Sequence, residues 1–142
     1  MSGILLVRDV MSANVKTVRP FSTVRDVVEK MNKFGIGSIM VVEEDRPVGI
    51  ITERDIMREL VDPFFDLDVA KAKEIMSTQL VTVSGNADVE RAARLMAGRK
   101  IKKLPVVENE RLVGIVTSMD IVRANPKIIG LLEELLKTKR TQ

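Results

Sequence analysis

Two periods of apolar residues alternate along the chain. Val24, Val27, Val28 and Met31 fall at i, i+3, i+4 and i+7, the spacing of one helix face, and with Phe34 they are read as core. Ser22 stands where an N-cap belongs, and Gly35 where a left-handed residue closes a helix. Ahead of this helix, Val10 to Ser12 predicts a short helical turn and Val15 to Val18 a strand stopped by Pro20. Behind it, the β-branched runs Ile36 to Val42 and Arg46 to Ile51 flank Glu43-Glu44-Asp45, which predicts an antiparallel hairpin. A helix from Glu53 to about Val61 then ends before Pro63. The order is β-α-β-β-α.

The same order returns. Shifting the chain by 65 positions sets Asp9-Val10-Met11-Ser12 on Glu74-Ile75-Met76-Ser77, and Thr17-Val18 on Thr82-Val83. It sets Val41-Val42-Glu43 on Val106-Val107-Glu108, and Val48-Gly49-Ile50 with Thr52 and Asp55 on Val113-Gly114-Ile115 with Thr117 and Asp120. A fixed offset of this kind is a tandem repeat, and two copies suggest a pair with approximate twofold symmetry. The second copy predicts a strand at 80–83, a helix from Asp88 to about Gly98, strands at 101–107 and 111–116, and a helix from Ser118. The domains read as 1–61, a connector 62–73 whose Phe64 and Phe65 cover core edges, 74–124, and a C-terminal helix 125–142. In that helix Asn125-Pro126 forms the start, Ile128, Leu131, Leu132, Leu135 and Leu136 form an apolar stripe, and Glu133 can pair with Lys137. The class is mixed α/β (α+β), with sheets covered by helices.

Composition narrows the chemistry. The 142 residues contain neither cysteine nor histidine, so disulfides, thiol nucleophiles, the usual zinc sites and Ser-His-Asp catalysis are excluded together. No catalytic residue and no metal ligand is assigned, and no enzyme is expected. The net charge of +3 comes from 23 basic and 20 acidic residues that are interspersed, and the aromatics are four Phe; neither feature favours nucleic acid. No apolar run approaches the roughly 20 residues of a membrane span, and the start lacks signal-peptide features, so a cytoplasmic protein is expected.

The candidate chemistry lies in Thr52-Glu53-Arg54-Asp55 and Thr117-Ser118-Met119-Asp120. Each follows an apolar strand and opens a helix. One reading is a capping box, in which Thr accepts from the backbone N–H three residues on and the acid reaches back. The other is a ligand site, in which backbone N–H groups hold an anion and the carboxylate accepts two hydrogen bonds from a ribose diol. Recurrence at the end of two strands favours the second.

The arrangement over residues 8–124 resembles a pair of CBS domains, the module named after cystathionine β-synthase. The resemblance is carried by Asp9-Val10-Met11-Ser12 with Thr17-Val18-Arg19-Pro20, by Ile101-Lys102-Lys103-Leu104-Pro105-Val106-Val107, and by Gly49-Ile50-Ile51-Thr52-Glu53-Arg54-Asp55. It implies a sensor of adenosine-containing ligands bound in clefts between the two repeats. One implied site joins Thr52, Arg54 and Asp55 to Leu80, Val81 and Ile101; the other joins Thr117 and Asp120 to Val15, Lys16, Ile36, Gly37 and Ser38. Lys102 and Lys103 stand where related modules place cations for phosphate, although a Lys-Lys pair opening a strand can equally be a solvated end.

The expected function is therefore a regulatory module, without a catalytic cofactor, that binds AMP first, with ADP or ATP as further ligands. The alternatives are a module for S-adenosylmethionine and a ligand-free dimerisation protein in which both boxes are only caps. A homodimer is expected, with a separate regulated protein as a further partner. Arg54 matches Met119 and Ser38 matches Lys103 across the repeats, so unequal sites are expected.

Overall fold

Strand β1 (Thr17–Val18) runs parallel to β2 (Ser38–Glu43), which pairs antiparallel with β3 (Arg46–Thr52) in a sheet of order β1-β2-β3. A second antiparallel pair joins β4 (Lys103–Glu108) to β5 (Arg111–Thr117). Here the molecule is seen in a computed structural model that describes residues 4–130 and 132–133. Both hairpins close on two residues in the left-handed region, Glu44 and Asp45 at φ 52° and 67°, Asn109 and Glu110 at 51° and 66°. Two successive positive φ values give the turn whose twist matches that of the flanking strands. Each hairpin also carries one irregularity at the same place, between Val41 and Val42 and between Val106 and Val107.

The strand expected at 80–83 is reduced to a single parallel bridge between Val83 and Val106. Val83 donates to the Pro105 carbonyl at 3.0 Å, and Val107 donates to the Val83 carbonyl at 2.9 Å. The next rung would need an N–H at position 105, which proline lacks. In the first repeat that position is Met40, and its pairing with Thr17 survives.

Helix α1 (Val7–Val10) lies one turn earlier than expected, α2 (Val24–Phe34) and α5 (Val89–Arg99) are the long helices, and α3 (Glu53–Leu60) and α6 (Ser118–Ala124) follow the hairpins. The cap of α2 is Thr23, whose hydroxyl accepts from the Asp26 N–H at 3.1 Å; Ser22 instead accepts from the Arg19 N–H. An acid three residues on completes the box only from position 23. Gly35 closes α2 at φ 63°, and Lys100 adopts 58° at the matching place after α5.

The compact units cut the chain differently from the repeats. Residues 16–80 form one unit, and the chain up to Val15 joins the chain from Val81 onward in the other. The connector 62–73 is no free linker. Val24 donates to the Ala70 carbonyl, Ala72 donates to the Ser22 carbonyl, α4 (Ala72–Ile75) begins inside it, and Arg25 pairs with Asp68. The other unit repeats this pattern with residues 65 positions away, Val89 donating to Leu5 and Val7 to Ala87.

One core holds Val18, Val27, Met31, Ile39, Val41, Ile51, Ile56 and Ala72. The other holds Val7, Val83, Val89, Ala92, Ala93, Met96, Leu104, Val106, Val116 and Ile121, with Ile128 and Leu132 added. Two Phe expectations need correction. Phe34, the last residue of α2, is 39% exposed, with the Lys16 ammonium 4.3 Å from its ring centre; Phe64 is 90% exposed. At the C-terminal side, Asn125 caps a 3-10 turn (Pro126–Ile128) by accepting from the Lys127 N–H at 3.2 Å. Leu131, Leu135, Leu136 and the Glu133–Lys137 pair lie outside the described residues.

Candidate functional site

Each unit carries one strand-to-helix junction, built by the same local rules. In the unit of residues 16–80, Ser38 opens β2 opposite Thr52, the last residue of β3. Glu53 donates its N–H to the Gly37 carbonyl at 3.1 Å. Thr52 then caps α3. Its hydroxyl accepts from the Asp55 N–H at 3.2 Å, and Asp55 Oδ2 accepts from the Thr52 N–H at 2.9 Å and from its hydroxyl at 3.1 Å. The capping box expected as the alternative reading is therefore formed.

That box leaves a consequence for chemistry. Both of these bonds from Thr52 fall on Oδ2 of the Asp55 carboxylate, while Oδ1 has the Arg58 guanidinium at 3.6 Å. The Asp55 side chain is 14% exposed. A cap thus fixes the carboxylate in one orientation and leaves one oxygen to accept from something else. Arg54 is exposed and makes no side-chain hydrogen bond or ion pair among the described residues.

The other unit repeats the geometry. Lys103 stands opposite Thr117, and Ser118 donates to the Lys102 carbonyl at 2.9 Å. Thr117 Oγ1 accepts from the Asp120 N–H at 3.1 Å, and Asp120 Oδ2 accepts from the Thr117 N–H at 2.9 Å. Asp120 and Lys103 are half-buried, whereas Lys102 is exposed.

Of the residues expected to line a site, Lys16, Ile36, Gly37, Ser38, Thr52, Arg54, Asp55 and Leu80 fall in the first of these units. Val15, Val81, Ile101, Lys102, Lys103, Thr117 and Asp120 fall in the other. Within one unit Ile36, Gly37 and Ser38 thus run beside Thr52 and Asp55, and Ile101, Lys102 and Lys103 run beside Thr117 and Asp120. Leu80 and Val15 are half-buried next to the unit boundaries, and Val81 and Ile101 pack against the second core.

Three features escaped the sequence reading. A third T-x-x-D box, Thr23 to Asp26, caps α2, but its acid is exposed and its return bond to the Thr23 N–H is 3.3 Å long. The spacing alone could have revealed it. Glu53 lies against Gly37, where a Cβ would come 2.6 Å from its carboxylate oxygen; in the second repeat Lys102 and Ser118 replace that pair. Finally, Glu108 accepts from the Ser84 hydroxyl and the Gly85 N–H, both at 2.7 Å, which holds its carboxyl below its ordinary value of 4.5. Among the described residues no helix is long and apolar enough to cross a membrane, and no group of acids could hold a metal ion.

Comparison with known proteins agrees with this architecture. The family model described as CBS domain matches twice, over residues 7–62 and 72–127. The CBS domain-containing protein YhcV of Bacillus subtilis is 36% identical over 115 residues, 81% of each chain. The solved CBS domain pair of protein MJ0100, in complex with 5-methylthioadenosine and S-adenosyl-L-methionine, superposes with a TM-score of 0.74 at 31% identity, covering 87% of this chain and 98% of that one. Protein MJ1225 of Methanocaldococcus jannaschii, proposed as an archaeal homologue of g-AMPK, gives a TM-score of 0.77 at 26% identity over 84% of this chain and 47% of that one. Two matched repeats, each ending in a strand-to-helix junction with a fixed acid, place this chain in the CBS-domain family as a tandem pair.

Proposed function

We propose that the chain is a non-catalytic regulatory module that binds an adenosine-containing ligand, AMP foremost and ADP or ATP alongside it. The observation that carries this reading is the half-buried pair Asp55 and Asp120, each held by a threonine through Oδ2. A carboxylate oriented in this way is ready to accept from a ribose diol without reorganising, which lowers the cost of binding. The exposed Asp26 box supplies the contrast, since it does the capping without the burial.

In this reading Asp55 and Asp120 take ribose hydroxyls, and Thr52 and Thr117 stand near ribose or phosphate. Arg54, Lys16, Lys102 and Lys103 supply cations for an anionic tail. Val15, Ile36, Leu80, Val81 and Ile101 offer apolar contact to the base, with Gly37 and Ser38 beside it. Binding regulates by favouring one arrangement of the module over another, to the extent that the ligand's affinity differs between them. The target is a separate protein or the module's own oligomer, and the setting is the cytoplasm.

S-Adenosylmethionine is the second reading. The Glu53 carboxylate against Gly37 places negative charge beside the first junction, which suits a cationic tail, and the similar module MJ0100 was solved with that compound.

Calorimetry with AMP, ADP, ATP and S-adenosylmethionine, paired with melting curves, tests the proposal. A ligand at a hundredfold its Kd should stabilise the fold by about 2.7 kcal/mol. Asp55→Ala and Asp120→Ala should weaken binding at least tenfold, by unequal amounts, and Thr23→Ala should cost about 1 kcal/mol of stability without touching affinity. If none of the four compounds binds or shifts the melting temperature, the reading is abandoned.

A further inference from the structure

The segment around Val83 runs along the rim of its hairpin and bonds to it on one side, through the Pro105 carbonyl and the Val107 N–H. Its other side is open. Among the described residues the Thr82 N–H, the Thr82 carbonyl and the Ser84 N–H make no hydrogen bond, and both residues are exposed. Unpaired groups of this kind along a sheet edge are a template for another strand, and proteins that do not use an edge block it.

The first repeat blocks its edge. Sixty-five positions earlier, the Thr17 carbonyl accepts from the Lys30 ammonium at 2.6 Å, and the Arg19 N–H donates to the Ser22 hydroxyl at 3.1 Å. The residues that match Lys30 and Ser22 are Leu95 and Ala87, whose side chains cannot bond to backbone. Both are half-buried and, with Val83, give the apolar lining of a groove of about 340 Å³ beside α5; Thr82, Ser84, Asn86 and Arg91 line the remainder. The same two replacements thus open the edge and supply an apolar wall for a strand to rest on.

We propose that this groove receives an extended segment of a partner protein, which adds as a strand beside residues 82–84 and presents an aliphatic side chain and a carboxylate to α5. Arg91 and Leu95 stand one turn apart on α5, about 6 Å along its axis, and alternate side chains of a strand repeat at about 6.7 Å. One residue of the segment therefore meets Leu95 while the residue two places away meets Arg91. Arg91 is exposed and makes no side-chain hydrogen bond or ion pair among the described residues. The charges around it are engaged: Asp88 accepts from the Glu90 N–H, Glu90 pairs with Arg94, Arg8 donates to Asn86, and Glu108 is held by Ser84 and Gly85. Pairing of two copies edge to edge would set two Arg91 cations along one seam, so charge selects a foreign, acidic segment. This site is independent of the adenosine ligand.

The test observes the isotope-labelled full chain by NMR while two end-blocked pentapeptides are added, Thr-Glu-Thr-Val-Thr and its reverse, which cover both strand directions. One of them should shift the Thr82 and Ser84 amides and slow their exchange with solvent, and replacing its glutamate by glutamine should weaken binding roughly tenfold. Arg91→Glu should transfer the preference to a peptide with lysine in that place. Ala87→Ser combined with Leu95→Lys, which copies the blocked edge, should abolish binding with the melting curve retained; if that variant loses its fold, Arg91→Glu, on an exposed position, decides alone. No change at the two amides with either peptide, binding indifferent to Arg91→Glu, or protection of the two amides that grows with protein concentration without peptide, as self-pairing requires, each overturns the proposal.

Discussion

The two compact units share one plan, yet one is completed by its own chain and the other is left with apolar surface. In the unit built around β4 and β5, Ile128 and Leu132 join the buried cluster that holds Ile121. In the unit built around β2 and β3, the matching helix shows Met57, Leu60 and Val61 to solvent. Duplicated sequence therefore does not give duplicated burial. What differs is the segment after each closing helix: Asp62-Pro63-Phe64-Phe65-Asp66 in one case and Lys127-Ile128-Ile129-Gly130-Leu131 in the other, each followed by a leucine, Leu67 or Leu132. The junctions themselves, where Thr and Asp fix each other, stay alike in both units.

The largest test of this contrast is a pair of core truncations. Ile121→Ala should destabilise by about 3–4 kcal/mol and Ile56→Ala by about 2–3 kcal/mol, because a more enclosed site relaxes less around the cavity. Urea denaturation measures both, and equal losses would break the comparison. Next come the glycines. A Cβ on Gly49 would collide with the Met76 thioether and come 3.0 Å from the Met76 Cβ, whereas one on Gly114 would collide with the Met11 thioether and come 3.0 Å from the Ser12 carbonyl oxygen. A side chain can swing aside more readily than backbone, so Gly114→Val should cost about 2–3 kcal/mol and Gly49→Val about 1–2 kcal/mol. Met76→Ala should recover part of the second loss and none of the first.

A smaller effect separates the two sheets. Pro105→Val restores an N–H facing the Val81 carbonyl, and should add about 0.5–1 kcal/mol together with slowed amide exchange at position 105. The smallest is a pH effect. Glu108 is held below 4.5 in the folded chain by the Ser84 hydroxyl and the Gly85 N–H, so the unfolded chain binds more protons as pH falls through that range. Its contribution is present above 4.5 and fades as pH drops through the lower folded value. The melting temperature of Glu108→Gln should therefore trail the parent at pH 6, and the gap should narrow as pH falls below 4.5.

Much of this was legible before the structure. The 65-residue offset, both hairpins and both junction boxes rest on contacts between residues a few positions apart, and such contacts leave a mark in periodicity and spacing. The shift of the α2 cap from Ser22 to Thr23 is an error of that same local kind, correctable by placing the acid three residues on. Pro105 shortening a strand is likewise local, although it needs the partner strand to be known. The exposure of Phe64 was not legible, since hydrophobicity states a preference for burial without stating whether a neighbour is there to supply it.

Sequence alone determined that the chain has two β-α-β-β-α repeats, each with a threonine and an aspartate at a helix start. Only the tertiary structure decided that the leading segment of each repeat packs on the other repeat's hairpin: Ser12 bridges Ile115 and Met11 packs on Gly114, while Ser77 bridges Ile50 and Met76 packs on Gly49. The sequence is degenerate on this point, because Met11 and Met76, and Gly49 and Gly114, are the same residue types in the same setting. Closing the longer loop to Gly114 rather than the shorter one to Gly49 costs only roughly 0.9 kcal/mol in chain entropy. So small a difference is overruled by the burial of Val7 in the second core, where it is fully enclosed with Val83, Val89 and Val106. Packing summed over a whole unit made a choice that no local pattern could record.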